Sequence, residues 1–342
     1  MAYLIVGGGL AGISLAENFL EKKEQVVLVD AHDQPSSTKV ATGVANPIVF
    51  KRLNKSWRVD ELAPFALDFY SKMDEKLGIQ SLSSVTIDKW IKSDDYRTFW
   101  NTRAQEPEYK PYLNPVDGDL GRVLQAFAVD CPVLMEAYRE HLQSTGSFRN
   151  DSFDLDHLKS IDQQLEYKGE VYDSVVFCEG AYAVYNPLWN WLPFKVAKGD
   201  WIVIETEYEL CDTILNNVVN TIPLGNRRYK LSSTFEWETM SWEPSKNAVK
   251  ELTKAFEERF NVPYKIVEHA SGLRPAASDR RPHLGVHPRI PKHFIFNGFG
   301  SKGVLLAPFF ADQLTKHILK GAPLDPEVDI KRHLRRFQAQ HP

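Results

Sequence analysis

A short apolar run broken by glycines, at the start of the chain, constrains the fold more than any other feature. Residues 1–30 read MAYLIVGGGLAGISLAENFLEKKEQVVLVD. Tyr3–Val6 is a continuous apolar stretch of the kind that forms a strand buried on both faces. From Leu10 the spacing becomes helical, with Leu10, Ile13, Leu15, Ala16, Phe19 and Leu20 along one face. Val26–Val29 then returns to a buried strand, ending at Asp30. The stretch is a β-α-β unit, and the expected fold class is α/β with a parallel, Rossmann-type sheet.

The turn of that unit carries Gly7, Gly9 and Gly12 in G-x-G-x-x-G spacing. Gly7 permits the tight turn, Gly9 lets backbone approach a pyrophosphate, and Gly12 lets helix and strand pack closely. Leu10 and Ala11 open a helix whose free N–H groups and positive dipole end face the phosphates. Asp30, followed by Ala31, lies at the strand tip and can accept hydrogen bonds from an adenosine ribose. A carboxylate there repels a 2′-phosphate, which argues against NADP. The pattern identifies a dinucleotide site, and by itself fits NAD as well as FAD.

A chain of 342 residues accommodates two domains of ordinary size. Lys and Arg total 41 against 45 Asp and Glu, a net charge of −4, which lacks the electrostatic footprint of a dedicated nucleic-acid binder. Cys131, Cys178 and Cys211 are far apart, with neither a CxxC pair nor metal-ligand spacing. That usage suits a reducing cytoplasm and no structural metal. No apolar run approaches the roughly 18 residues of a membrane helix. No basic segment precedes Tyr3–Val6, so the first residues read as mature structure.

Near the other end stand Gly272-Leu273-Arg274-Pro275, then Asp279, Pro282 and Gly285, a strand at Phe294–Phe296, and Gly298, Gly300 and Gly303. Between the two ends lie Ala41–Pro47 (ATGVANP), Val129-Asp130 opening a helix, and a Val175–Gly180 strand ending in glycine. Together with the N-terminal turn, this order resembles the D-amino acid oxidase and glycine oxidase family of flavoenzymes. The resemblance implies non-covalent FAD, since relatives with a covalent flavin use a cysteine near the Arg274 motif and this chain has Ser271 there. It implies cofactor contacts at Thr42, Gly43, Asn46, Val129, Gly180, Gly272, Arg274, Gly298, Gly300, Ser301, Lys302, Gly303 and Val304. The reaction implied is hydride removal from a carbon bearing an amine, followed by imine hydrolysis. Arg274 matches the arginine that grips a substrate carboxylate in bidentate fashion. Lys230 matches a lysine placed beside the flavin in sarcosine-oxidase-like relatives. Gly300–Gly303 and Asp279–Pro282 are also similar to the FAD domain of the bifunctional enzyme that matures 5-methylaminomethyl-2-thiouridine in tRNA. Three readings therefore stand open: an amine or amino-acid oxidoreductase, an oxidase of a modified tRNA uridine, and, from a different class, a non-catalytic or sensory nucleotide-binding protein or an NAD-dependent dehydrogenase.

Expected organisation follows the same order. Residues 1–80, 121–194 and 271–342 form a discontinuous FAD-binding domain, and 81–120 with 195–270 form an antiparallel substrate domain. Helices are expected at 62–77, Val133–Leu142 and Lys246–Phe260, and strands and loops over 81–120. A C-terminal helix runs through Ile318, with Pro308 in its first turn and Gly321 ending it. His269, His283 and His287 read as structural, and Lys331–Arg336 as a solvated helix face.

Overall fold

The computed structural model describes residues 1–237 and 239–341. Its first sheet has six strands in the order 283–286, 293–297, 174–177, 2–6, 25–30, 148–150. All neighbours are parallel except the antiparallel edge pair 283–286 and 293–297. Side-chain alternation assigns each face its own core. Tyr3, Ile5, Leu28 and Phe296 pack against the helices Leu10–Glu21 and Gly303–Lys320. Leu4, Val6, Phe177 and Ile295 point the other way, against Trp189, Trp191 and Phe337. Each such Leu, Ile or Phe stabilises the fold by about 1.5–3 kcal/mol when fully buried. This double coverage explains why Tyr3–Val6 and Ser174–Phe177 lack polar alternation.

The second sheet has the order 236–237, 197–205, 228–232, 220–225, 214–216, 82–90, 120–129, 44–45, with strand Lys265–Arg274 pairing the other flank of Ala197–Glu205. One face carries Ile202, Ile204, Tyr229 and Leu231, which pack on Leu252 and Phe256 of helix Lys246–Glu257. The opposite parity, Gly199, Trp201, Gly272 and Arg274, lines a cavity between the two sheets.

Several local expectations change. Residues 81–120 include a helix, Asp94–Gln105, capped by Ser93, whose Oγ accepts from Tyr96 N. Only Trp100 and Ala104 of that helix are buried, too narrow a stripe to register as helical periodicity. Leu120–Val129, most of which the sequence groups with the nucleotide-binding segments, pairs with Leu82–Trp90 in the second sheet. Helix Gly303–Lys320 starts earlier than Pro308 suggests, so the proline is its sixth residue and not in its first turn. Pro308 cannot donate to the Val304 carbonyl four residues back. The hydroxyl of Tyr70 donates to that oxygen instead, at 3.0 Å.

Candidate active site

The cavity has a volume of about 580 Å³ and runs from the N-terminal glycine turn to Arg274. At one end, strands Ala2–Val6 and Gln25–Asp30 deliver Gly7 and Asp30 side by side, and Gly7 N donates to Val29 O at 2.8 Å. Gly7 has φ +104°, a conformation that glycine adopts without strain. A Cβ on Gly12 would lie 1.9 Å from Gly7 O, so helix and strand meet there as the spacing requires. Gly9 caps the helix with no side-chain acceptor, leaving first-turn N–H groups facing the cavity. Of these, Leu10 N donates to Thr38 Oγ1 at 3.2 Å. The Asp30 carboxylate accepts from Gly8 N at 2.8 Å, which fixes it at the rim of the turn.

Most of the residues singled out in the sequence converge here. Gly7, Gly9, Leu10, Ala11, Asp30, Ala31, Thr42, Gly43, Asn46, Gly180, Gly272, Arg274, Gly300, Ser301, Gly303 and Val304 all line the one cavity. Gly12, Val129, Gly298, Lys302 and Lys230 do not. Val129 sits behind the wall, its N–H on Gly43 O at 3.1 Å. Gly298 shapes a turn whose N–H is held by Asn297 Oδ1 at 2.8 Å, while Asn297 Nδ2 donates to Gly180 O at 2.9 Å. Lys302 turns away and donates to Ser56 Oγ at 3.0 Å, and burial lowers its pKa.

At the far end, Arg274 stands on strand Lys265–Arg274 opposite Ala197. Its Nη1 donates to Lys198 O at 3.3 Å and to Thr234 O at 3.2 Å, and Nη2 donates to Ser233 Oγ at 2.7 Å. The guanidinium lies 4.1 Å from the Phe235 ring centroid. Among the described residues it forms no ion pair, and burial pulls its pKa down to about 10, with Asp200 acting in the opposite direction. Gly199 makes the room: a Cβ there would be 2.0 Å from Arg274 Nη2. Lys230, opposite Val203, lies on the same sheet face as Trp201, and its ammonium is 4.3 Å from that ring's centroid. Burial lowers its pKa, against the opposing charges of Glu268 and Asp130.

Sequence reasoning missed Thr38, Glu179, Gly199, Trp201, Ser233, Phe235 and Asn297 in the cavity wall. The Glu179 carboxylate accepts from Asn186 Nδ2 at 2.8 Å, and burial pushes its pKa up to about 7. Cys131 and Cys178 also reach the wall; burial pushes the first thiol up to about 12 and holds the second well above its ordinary value. No group of His, Cys, Asp and Glu among the described residues could hold a metal ion. His269 pairs with Asp200 at 3.0 Å, and buried His283 faces Arg332 at 3.1 Å. The stretch Lys331–Arg336 is not one solvated face. Its first residues form a 3₁₀ turn, Arg332 pairs with Asp279 at 2.9 Å, and Arg336 Nε donates to Trp191 O at 2.7 Å.

This arrangement fits FAD on two counts: the close-packed glycine turn brings the uncapped helix start at Gly9–Ala11 to the cavity wall, and the cavity continues past it to a cation. Residues 2–317 match the family designated DAO, the FAD dependent oxidoreductases. The chain belongs to that family. It is an oxidoreductase with FAD as cofactor, which removes NAD from consideration. Glycine oxidase of Pseudomonas putida is 26% identical over 366 residues, covering 95% of this chain and 98% of that protein. Glycine oxidase from Geobacillus kaustophilus has the same fold, with a TM-score of 0.72, 18% identity and 96% of each chain covered. Iminodiacetate oxidase from a Chelativorans species gives a TM-score of 0.74 at 21% identity, covering 96% of this chain and 98% of that one. No described helix is long and apolar enough to cross a membrane.

Proposed function

We propose that this enzyme oxidises the C–N bond of an amine bearing a carboxylate, an amino acid in the broad sense, with hydride leaving the carbon that carries the nitrogen. The observation that carries this reading is Arg274. A buried guanidinium at the end of a cofactor cavity, held only by two carbonyls, a hydroxyl and a ring face, has no anion of its own among the described residues. Leaving such a charge uncompensated is costly, so a ligand carboxylate that joins it gains a charge-assisted contact of about 1.5–3 kcal/mol.

Bound FAD supplies the electron sink for the hydride. The Gly7–Gly12 turn and the adjoining helix terminus would hold its pyrophosphate, and Asp30 its adenosine ribose. Arg274 binds the substrate carboxylate and thereby fixes the reacting carbon relative to the cavity. Ser233, Lys198 and Thr234 fix the guanidinium in turn. Trp201 closes the wall, and the Lys230 ammonium against its ring adds positive charge beside it. Water then hydrolyses the imine product to a carbonyl compound and the free amine.

The test is Arg274→Lys. Lysine keeps the charge but not the planar fork, so KM for the amino-acid substrate rises at least tenfold while the protein still purifies with its flavin. An unchanged KM would overturn the assignment. Support for an amino-acid substrate comes also from the relatives, which are oxidases of glycine and iminodiacetate.

A further inference from the structure

The cavity wall contributed by the second sheet and its loops has an uneven chemistry. Arg274 is its single charged residue among those described; Trp201, Phe235 and Trp242 supply rings, and Asn220 and Ser233 supply polar groups. Phe235 covers one face of the Arg274 guanidinium yet remains 55% exposed. Trp242 stacks on Tyr182 with ring centroids 5.7 Å apart. Both rings belong to the segment 233–245, in which Met240 and Trp242 pack against Ala181, Val196 and Leu273.

That segment is fastened from below by side chains of the opposite strand parity. Asp200, 1% exposed, accepts from Ser245 N through Oδ2 at 2.7 Å. Its backbone N–H donates to Thr234 Oγ1 at 3.0 Å, and its carbonyl accepts from Thr234 N at 3.2 Å. Lys198 Nζ donates to Glu243 O, and Ser271 Oγ donates to Trp242 O. Alternation along Ala197–Glu205 thus divides the labour: Gly199 and Trp201 face the cavity, while Lys198 and Asp200 tie down both ends of the aromatic segment.

We propose that segment 233–245 selects the substrate, with Phe235 as the specificity-determining residue, for a monocarboxylic amine carrying an apolar substituent. This inference rests on Arg274 as the carboxylate anchor. Arg274 neutralises one carboxylate; a second, placed against the Phe235 ring, would meet apolar surface and no counter-charge there, which costs affinity. An apolar substituent beside the anchored carboxylate covers the exposed part of the Phe235 ring and removes apolar surface from water on both partners. Asp200 is a positioning residue that keeps the ring over the guanidinium.

The holoenzyme is titrated with three carboxylates that lack an oxidisable amine, acetate, phenylacetate and malonate, and binding is read from perturbation of the flavin absorption spectrum. Phenylacetate is expected to bind at least tenfold more tightly than acetate, and malonate no more tightly than acetate. In Phe235→Ala the phenylacetate-to-acetate ratio falls below threefold. Because Phe235 is exposed, the variant keeps the melting temperature and flavin content of the parent. Equal affinity for acetate and phenylacetate, tightest binding of malonate, or an unaltered ratio in Phe235→Ala each overturns the inference and leaves the Arg274 anchor standing. If none of the three carboxylates perturbs the flavin, the anchor falls and the inference with it.

Discussion

The two ends of the cavity are built by opposite means. The nucleotide end is made of backbone drawn from one stretch of about 30 residues, Ala2–Asp30, where glycines remove side chains and a helix terminus supplies dipoles. The Arg274 end, where we propose that substrate binds, is made of side chains that arrive from far apart: Gly199, Ser233, Phe235 and Arg274 meet only because two strands and a loop converge. A missing Cβ appears at both ends with different neighbours. At Gly12 the space is claimed by the Gly7 carbonyl, which cannot move without breaking the turn. At Gly199 it is claimed by the far end of an arginine, which can. The first glycine protects the packing of helix on turn; the second protects the position of one charge.

The strongest test of that contrast is Gly12→Ala. Its Cβ would sit 1.9 Å from a backbone oxygen, so helix and strand must separate, at about 3 kcal/mol or more. Purified protein should lose most of its flavin, seen as the ratio of absorbance near 450 nm to that at 280 nm, and melt at a lower temperature. Full flavin content at the parental melting temperature would break the comparison.

Gly199→Ala is expected to act on substrate alone. Its Cβ displaces the guanidinium from its seat on Ser233 and Phe235, and KM should rise about tenfold, near 1.4 kcal/mol. Flavin content and thermal stability should stay close to the parent. A drop in flavin comparable to that of Gly12→Ala would show that the two glycines do the same job.

The smallest effect concerns Glu179, whose backbone lies beside Gly7 in the cavity wall. Burial raises its folded pKa to about 7, above the ordinary glutamate range near 4.3. The unfolded chain therefore loses this proton first. Stability is lost as pH rises through the interval from about 4.3 to 7 and levels off above it. Between pH 5 and 8 the melting temperature of Glu179→Gln should fall less steeply than that of the parent. Parallel melting curves would remove Glu179 from the pH dependence.

Legibility in the sequence followed the same division. The glycine turn could be read because its determinants are local: a buried strand, a helical period and an acid at the next strand tip leave one solution for the backbone. Arg274 and Gly300–Gly303 were legible through their resemblance to a family, not through periodicity. Phe235, Trp201 and Gly199 were not legible as cavity residues. An aromatic on an alternating strand packs on a helix or faces a cavity according to its parity, and only the partner strands fix which parity does which. Helix Asp94–Gln105 escaped because its buried face is two residues wide.

By itself, then, the sequence determined a Rossmann unit at the N-terminus, a dinucleotide there and, with the C-terminal motifs, a flavin enzyme. The Rossmann unit is written in contacts between near neighbours along the chain, and the flavin was legible through family resemblance. Tertiary structure alone decided that Arg274 has no carboxylate partner among the described residues, that Lys302 turns away to Ser56, and that Asp200 faces the loop and not the cavity. Such outcomes depend on which strands pair and in what register. A shift of one residue in strand Ala197–Glu205 would exchange Gly199 for Asp200 beneath the guanidinium.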